Sequence, residues 1–180
     1  MEALIQAFQN LRRRWRAMRG DESPENESAP ELLEGTKEVL FICTGNYYRS
    51  RFAEALFNHN AIEAELPWRA FSRGVAVHLA QADLSPHTRA ALETRGIDLH
   101  MTAPTRIALS EEDFQRAAKS IALKRTEHES FIAKQFPEWK DAVEYWQIDD
   151  LDVASPDDAL PQLEQAVLRL LRELQRESIH

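Results

Sequence analysis

Cysteine is almost absent from these 180 residues: there is one, Cys43. A single thiol excludes an internal disulfide framework and any zinc cluster built on cysteines. It leaves three roles open for Cys43: packing, a bridge to another chain, or a nucleophile. Long apolar runs are missing too. No stretch approaches the roughly 18 residues that a membrane-crossing helix needs. The first residues carry no apolar signal-peptide core followed by small cleavage-site residues. Positive charge is in short supply, with 22 Lys and Arg against 30 Asp and Glu and a formal net charge of -8. That balance argues against a protein that works by coating nucleic acid. The expectation is one domain of ordinary size, cytoplasmic, where a lone thiol stays reduced.

What charge there is falls unevenly. Residues 1–20 hold Arg12, Arg13, Arg14, Arg16 and Arg19 against Glu2 alone. Leu4, Phe8, Leu11, Trp15 and Met18 are spaced 4, 3, 4, 3, which predicts a basic amphipathic helix over 1–20. Residues 21–36 are rich in Glu, Ser and Pro, with six acids and no base through residue 35. They predict an acidic linker that cannot build its own core. The compact body is then 37–180.

Within that body strands alternate with helices. The all-apolar Val39-Leu40-Phe41-Ile42 has the composition of a central strand covered on both faces. A helix follows over 50–61, with Phe52, Ala53, Leu56, Phe57 and Ala61 on one face. Residues 68–72, 120–123 and 143–148 predict three more strands. Ser85-Pro86 opens a helix that Gly96 closes. Ser110-Glu111-Glu112-Asp113 has the form of a capping box. Thr126 with Glu129 predicts the start of another helix, ending before Pro137. Ser155-Pro156 opens the last one, whose face of Leu160, Leu163, Val167, Leu170, Leu171 and Leu174 is the cleanest helical period in the chain. The pattern implies an α/β fold: three layers, with a four-stranded, mainly parallel sheet flanked by helices.

The stretch between the first strand and the first helix is Cys43-Thr44-Gly45-Asn46-Tyr47-Tyr48-Arg49-Ser50, of the form Cys-x5-Arg-Ser. A helix N-terminus binds anions through its unpaired N–H groups and dipole, and a loop wrapped before it can add further N–H donors. Gly45 permits close approach, and Asn46 tolerates the left-handed region. Arg49 offers a planar fork matched to phosphate oxygens. Cys43 would lie in the positive potential of these groups, with the Ser50 hydroxyl in reach of its sulfur. Thr44, Gly45, Asn46, Tyr47, Tyr48 and Ser50 are the candidate substrate-binding residues around Cys43 and Arg49. The bland alternative is a cysteine that fills the core at the end of a strand.

With Phe52-Ala53-Glu54-Ala55 added, this stretch resembles the opening of the low-molecular-weight protein tyrosine phosphatases. The resemblance spans roughly residues 37–176, is dense around the loop and thin in the middle, and includes Ser72-Arg73-Gly74 and Arg95-Gly96-Ile97-Asp98-Leu99. It implies a metal-independent phosphatase-like catalytic domain over 37–180, with no cofactor. Cys43 would be the nucleophile and Arg49 the phosphate clamp. An aspartate after the last strand would be the general acid: Asp150 ahead of Asp149, with Asp152 third. The implied partner is a phosphorylated protein, with phosphotyrosine foremost, or a small phosphate ester; phosphoarginine also fits. A phosphate-binding regulatory module with little or no turnover is the other class of reading. A reductase or sulfur-transfer enzyme is disfavoured by the lack of a second thiol.

The chain departs from the family pattern at several points. Tyr48 stands where many members have a second cysteine, Arg51 where proline is usual, Arg73 where a small residue is usual. Leu123-Lys124 replaces a Met-Asp pair, and Leu151 replaces the proline after the acid. Arg51 and Arg73 read as positive potential near the site mouth or as surface residues. Tyr47 either faces the substrate or packs on a neighbouring loop. His78 and His100 fall in loops that could border the site or be merely surface. The basic head could dock on the acidic body, self-associate, lie on a membrane, or be a frayed extension.

Overall fold

The computed structural model describes residues 35–177. The expected helix over 1–20 and nearly all of the linker lie outside the described residues. The elements are β1 (Lys37–Cys43), α1 (Arg49–Glu63), β2 (Trp68–Gly74), α2 (Pro86–Thr94), α3 (Glu111–Arg116), β3 (Lys119–Ala122), α4 (Arg125–Gln135), β4 (Val143–Tyr145) and α5 (Pro156–Glu177). Short 3-10 turns at Val77–Leu79, Leu99–Met101 and Pro137–Trp139 join them. The sheet order is β2-β1-β3-β4, with every ladder parallel.

β1 is central because both of its faces are apolar. Val39, Phe41 and Cys43 point into a core shared with α1, α2 and α5, alongside Phe52, Phe57, Leu92, Leu163 and Val167. Leu40 and Ile42 point into the opposite core, with Phe114 of α3 and Ile132 of α4. This is the two-faced burial that a parallel sheet requires. Trp139 stacks on Phe114, and Trp146 packs on Phe41, so both rings are packing residues. Helix α1 is buried on nearly every side from Arg49 to Asn58.

The outer edge of β2 is closed by side chain and loop, which removes a template for further pairing. Asn58 Oδ1 accepts the Ala70 N–H at 2.7 Å. Its Nδ2 donates to the carbonyls of Ala70 at 3.1 Å and Met101 at 2.9 Å. Gly74 donates to Ile107 O and accepts from Leu109 N.

Several boundaries differ from the sequence reading by one or two residues, and two of the differences bear on the site. β4 stops at Tyr145 rather than Ile148. Its partner β3 ends at Ala122, and the chain beyond reaches over to Leu123 through single bonds: Trp146 N to Ala122 O and Ile148 N to Leu123 O, each 2.8 Å. Helix α4 begins at Arg125 with Lys124 as its cap. Thr126 and Glu129 do not cap it; the Lys124 N–H donates to His128 Nδ1 at 3.0 Å.

Asn58→Ala would strand three buried backbone groups. The expected loss is about 3 kcal/mol of unfolding free energy, read from urea denaturation.

Candidate active site

β1 delivers Cys43 to the end of the sheet, and α1 starts at Arg49, so residues 44–48 must turn within five positions. Asn46 makes the turn with φ 51°, a conformation that a short side chain able to bond locally tolerates best. Its carboxamide is fully engaged. Oδ1 accepts the Ile107 N–H at 2.8 Å; Nδ2 donates to Ser72 Oγ at 2.8 Å and Ser50 Oγ at 3.2 Å. Gly74 supports the loop from below. A Cβ there would lie 2.8 Å from Asn46 N and 2.9 Å from Thr44 O.

The loop's carbonyls bond outward. Cys43 O accepts from Val75 N, Thr44 O from Ala76 N, Tyr47 O from Ser85 N, and Tyr48 O from Phe52 N and the Thr88 hydroxyl. None of the N–H groups from Thr44 to Tyr48 is spent on another described residue. They form the donor array of an anion cradle. Cys43 is 3 % exposed at its base, with Sγ 2.9 Å from Ser50 Oγ. Ser50 Oγ already accepts from Asn46, so its proton is free to point at the sulfur.

Above the thiol opens a cleft of about 370 Å³. Cys43, Thr44, Gly45, Tyr47, Tyr48, Arg49, Leu79, Ala80, Gln81 and Asp150 line it. Arg49 and Asp150 therefore share the cleft with Cys43, as the sequence predicts. Arg49 Nη2 lies 2.5 Å from Asp150 Oδ2 and 2.6 Å from Glu127 Oε2. Nη1 donates to Ile148 O at 2.8 Å and Glu127 Oε1 at 3.2 Å. Burial opposes the charge on this guanidinium, but Glu127, Cys43 and Asp150 together outweigh it and hold its pKa above the ordinary value. Arg49 Nε is buried with no partner among the described residues. Asp149 is held apart by Lys124, whose Nζ lies 2.5 Å from its carboxylate. Asp152 is exposed. The geometry thus distinguishes Asp150 from its two neighbours.

Other candidates divide. Tyr47 is half-buried and lines the cleft while packing against the core. Tyr48 is buried, and its ring meets His87 edge-on with centroids 6.5 Å apart. Burial, then the nearby charge of Asp150, pushes its hydroxyl up to about 12. Arg51 is neither a surface residue nor a mouth residue. It is 1 % exposed and wholly internal. Arg73 turns to the opposite face of the sheet, with Nε 2.9 Å from Asp113 and its guanidinium over Phe71. His78 and His100 are exposed and line no part of this cleft.

Two residues of α4 were missed by the sequence reading. Glu127 grips Arg49 with both oxygens. His128 is fully buried, and its Nδ1 accepts the Lys124 N–H, so the ring proton sits on Nε2, 3.3 Å from Thr44 Oγ1. Burial, then the charge of Arg49, lowers its pKa to about 3. The available signal was the acid and imidazole just after β3, the strand beside β1.

The comparisons with known proteins bear on the family and the fold. A model of the low molecular weight phosphotyrosine protein phosphatase family matches residues 38–179. The chain belongs to that family and is a phosphatase of this class, as its loop resemblance implied. The protein-arginine-phosphatase of Bacillus subtilis (strain 168) is 35 % identical to it over 107 residues, 59 % of this chain and 67 % of that one. The solved YwlE arginine phosphatase from Geobacillus stearothermophilus superposes with a TM-score of 0.66 at 28 % identity, over 79 % of this chain and 96 % of that one. A low molecular weight protein tyrosine phosphatase from T. tengcongensis gives 0.63 at 25 % identity, over 78 % and 99 %.

Because the folded pKa of His128 lies below its unfolded value, the unfolded chain gains a proton first as pH falls. The stabilisation is complete above about pH 6.5 and declines as pH falls toward about 3. His128→Asn should flatten the acid side of a stability profile by roughly 1 kcal/mol per pH unit, seen in denaturant melts at pH 7, 6 and 5.

Proposed function

We propose that this protein is a cysteine-dependent phosphatase of phosphorylated protein side chains, working through a phosphocysteine intermediate. The observation that carries the reading is the convergence on one cleft of the Cys43 thiol, a loop of unspent N–H groups, Arg49 and Asp150. The Cys43 thiolate attacks phosphorus in line, and the bond to the leaving atom breaks. The loop N–H groups and Arg49 hold the equatorial oxygens, where transition-state charge resides. In the substrate-free site Arg49 is paired with Asp150 and Glu127. An entering phosphate competes for that guanidinium, and Nε is the donor not yet committed. Release from Arg49 lets Asp150 carry the proton that the leaving atom takes. Asp150 then removes a proton from the water that splits the sulfur–phosphorus bond and frees inorganic phosphate.

Phosphotyrosine is the substrate suggested by the family. Phosphoarginine is a second reading. Two observations favour it: the likeness to the Bacillus subtilis arginine phosphatase, and the Asp150 carboxylate facing a cleft that has a planar ring, Tyr47, on its wall. A guanidinium carrier would stack on the ring and pair with the acid. The regulatory-module alternative lacks support of this kind, since a mere phosphate reader needs neither the thiol nor Asp150.

Cys43→Ser should abolish turnover of p-nitrophenyl phosphate and retain binding of inorganic phosphate; full turnover by this variant sinks the mechanism. Asp150→Asn should lower kcat by roughly 10²–10⁴-fold on substrates with poor leaving groups, while Asp149→Asn stays within a few-fold. A panel of phosphotyrosine and phosphoarginine peptides, assayed with wild type and Cys43→Ser side by side, separates the two substrate readings by kcat/KM.

A further inference from the structure

Residues 77–84 carry one wall of the cleft, through Leu79, Ala80 and Gln81, yet they add nothing to either apolar core. Leu79 is 62 % exposed, and His78, Gln81, Ala82 and Asp83 are exposed as well. Apolar burial therefore does little to fix this segment. Hydrogen bonds do. Among the described residues, every hydrogen bond that ties 77–84 to the rest of the protein is donated by an arginine. Arg106 supplies most of them. Its Nη1 donates to Val77 O at 2.7 Å and to Ala80 O, the first residue and the cap of the 3-10 turn. Its backbone N–H donates to Asp83 Oδ1 at 3.3 Å, and its Nε lies 3.6 Å from the same oxygen. Arg51 Nη1 adds a bond to Asp83 O at 2.9 Å. Bonds that end on carbonyl oxygens hold the wall whatever side chains it carries.

The base of this grip is anchored to the floor of the site. The residue after Arg106 is Ile107, whose N–H donates to Asn46 Oδ1 at 2.8 Å and whose carbonyl accepts the Gly74 N–H at 3.0 Å. One residue thus holds the wall while its neighbour holds the phosphate loop. Wall and floor meet closely: a Cβ on Gly45 would lie 3.0 Å from Ala80 Cβ. The loop N–H groups and Arg49 face the phosphate, so the wall is left to face the group that carries it.

We propose that Arg106 is a positioning residue for the carrier side of the substrate: by gripping the Val77 and Ala80 carbonyls it sets the width of the cleft between the 79–81 wall and the phosphate loop. The proposal rests on the cleft above Cys43 being the phosphatase site.

Arg106→Met removes the grip and keeps the Ile107 bonds. With p-nitrophenyl phosphate its KM should rise about tenfold, the order expected for losing charge-assisted hydrogen bonds, while kcat stays within about twofold. The inhibition constant of inorganic phosphate should also stay within about twofold, because phosphate needs only the floor. Arg106→Lys should recover part of the loss. Asn58→Ala, which weakens the fold at β2, should keep the wild-type KM, so instability alone does not produce this split. A wild-type KM in Arg106→Met overturns the proposal. So does a parallel loss of phosphate inhibition, or a fall in kcat with KM unchanged. A second readout needs no turnover: chymotrypsin under native conditions should cut after Leu79 about tenfold faster in Arg106→Met than in wild type, and equal rates overturn the proposal. If Arg106→Met does not fold, Asp83→Asn takes its place. That carboxylate is exposed, so the same split is expected at about threefold, and wild-type KM and cleavage rate there overturn the proposal. A wild type that hydrolyses no phosphate ester, with Leu79 still cut faster in Arg106→Met, removes the functional reading and leaves the grip on the wall intact.

Discussion

The Asn46 carboxamide holds the site together. The five residues between β1 and α1 must reverse direction over a parallel sheet while turning their N–H groups inward. That is achieved with one left-handed residue whose side chain is bonded on three sides, to Ile107, Ser72 and Ser50. Each of these partners belongs to a different part of the fold: the segment beside β2, β2 itself, and α1. The loop's shape is therefore a property of the sheet edge and the first helix together. A buried amide so committed cannot rotate without stranding polar atoms, at a cost of about 1–3 kcal/mol each.

The positive charge of the site is balanced from elsewhere in the chain. Arg49 sits in a low-dielectric position where an unpaired guanidinium would be costly. Glu127 from α4 and Asp150 from the loop after β4 supply the counter-charges. The sheet order β2-β1-β3-β4 makes this natural, since β3 and its helix are the immediate neighbours of β1 on that side. Replacing an acid at the end of β3 by Lys124 removes one carboxylate, and Lys124 draws Asp149 away from the cleft. That leaves Asp150 beside Arg49.

Much of this was legible in the sequence wherever one local rule decided the outcome. The two-faced apolar run of β1, the Ser-Pro start and Gly96 stop around α2, and the leucine period of α5 each act over a few residues. The Cys-x5-Arg loop belongs with them, because a strand end, a turn residue and a helix start lie in one short stretch. Glu127, His128 and Arg51 were not legible, for a different reason. Their partners are 78, 84 and 51 residues away, and a charged residue early in a helix ordinarily reads as solvated. Burial reversed that reading. His128 drew no reading from the sequence and proved to accept the Lys124 N–H at the start of its own helix; Arg51 was read as positive potential near the mouth or as a surface residue and proved to be a buried tie between α1 and the 102–105 segment. The end of β4 was misjudged because its length depends on where its neighbour β3 stops, which its own composition does not encode.

Gly74 meets the loop with no space between them: a methyl group there would collide with Asn46 N, Thr44 O and Val77. The rest of the cleft is lined by Leu79, Ala80, Gln81 and the ring of Tyr47, whose side chains make none of the hydrogen bonds by which Asn46 holds the loop. The site is thus divided into a floor that tolerates no drift and a rim free to vary. Inheritance can rewrite what such an enzyme accepts, residue by residue along the rim, while the chemistry beneath is passed on unaltered.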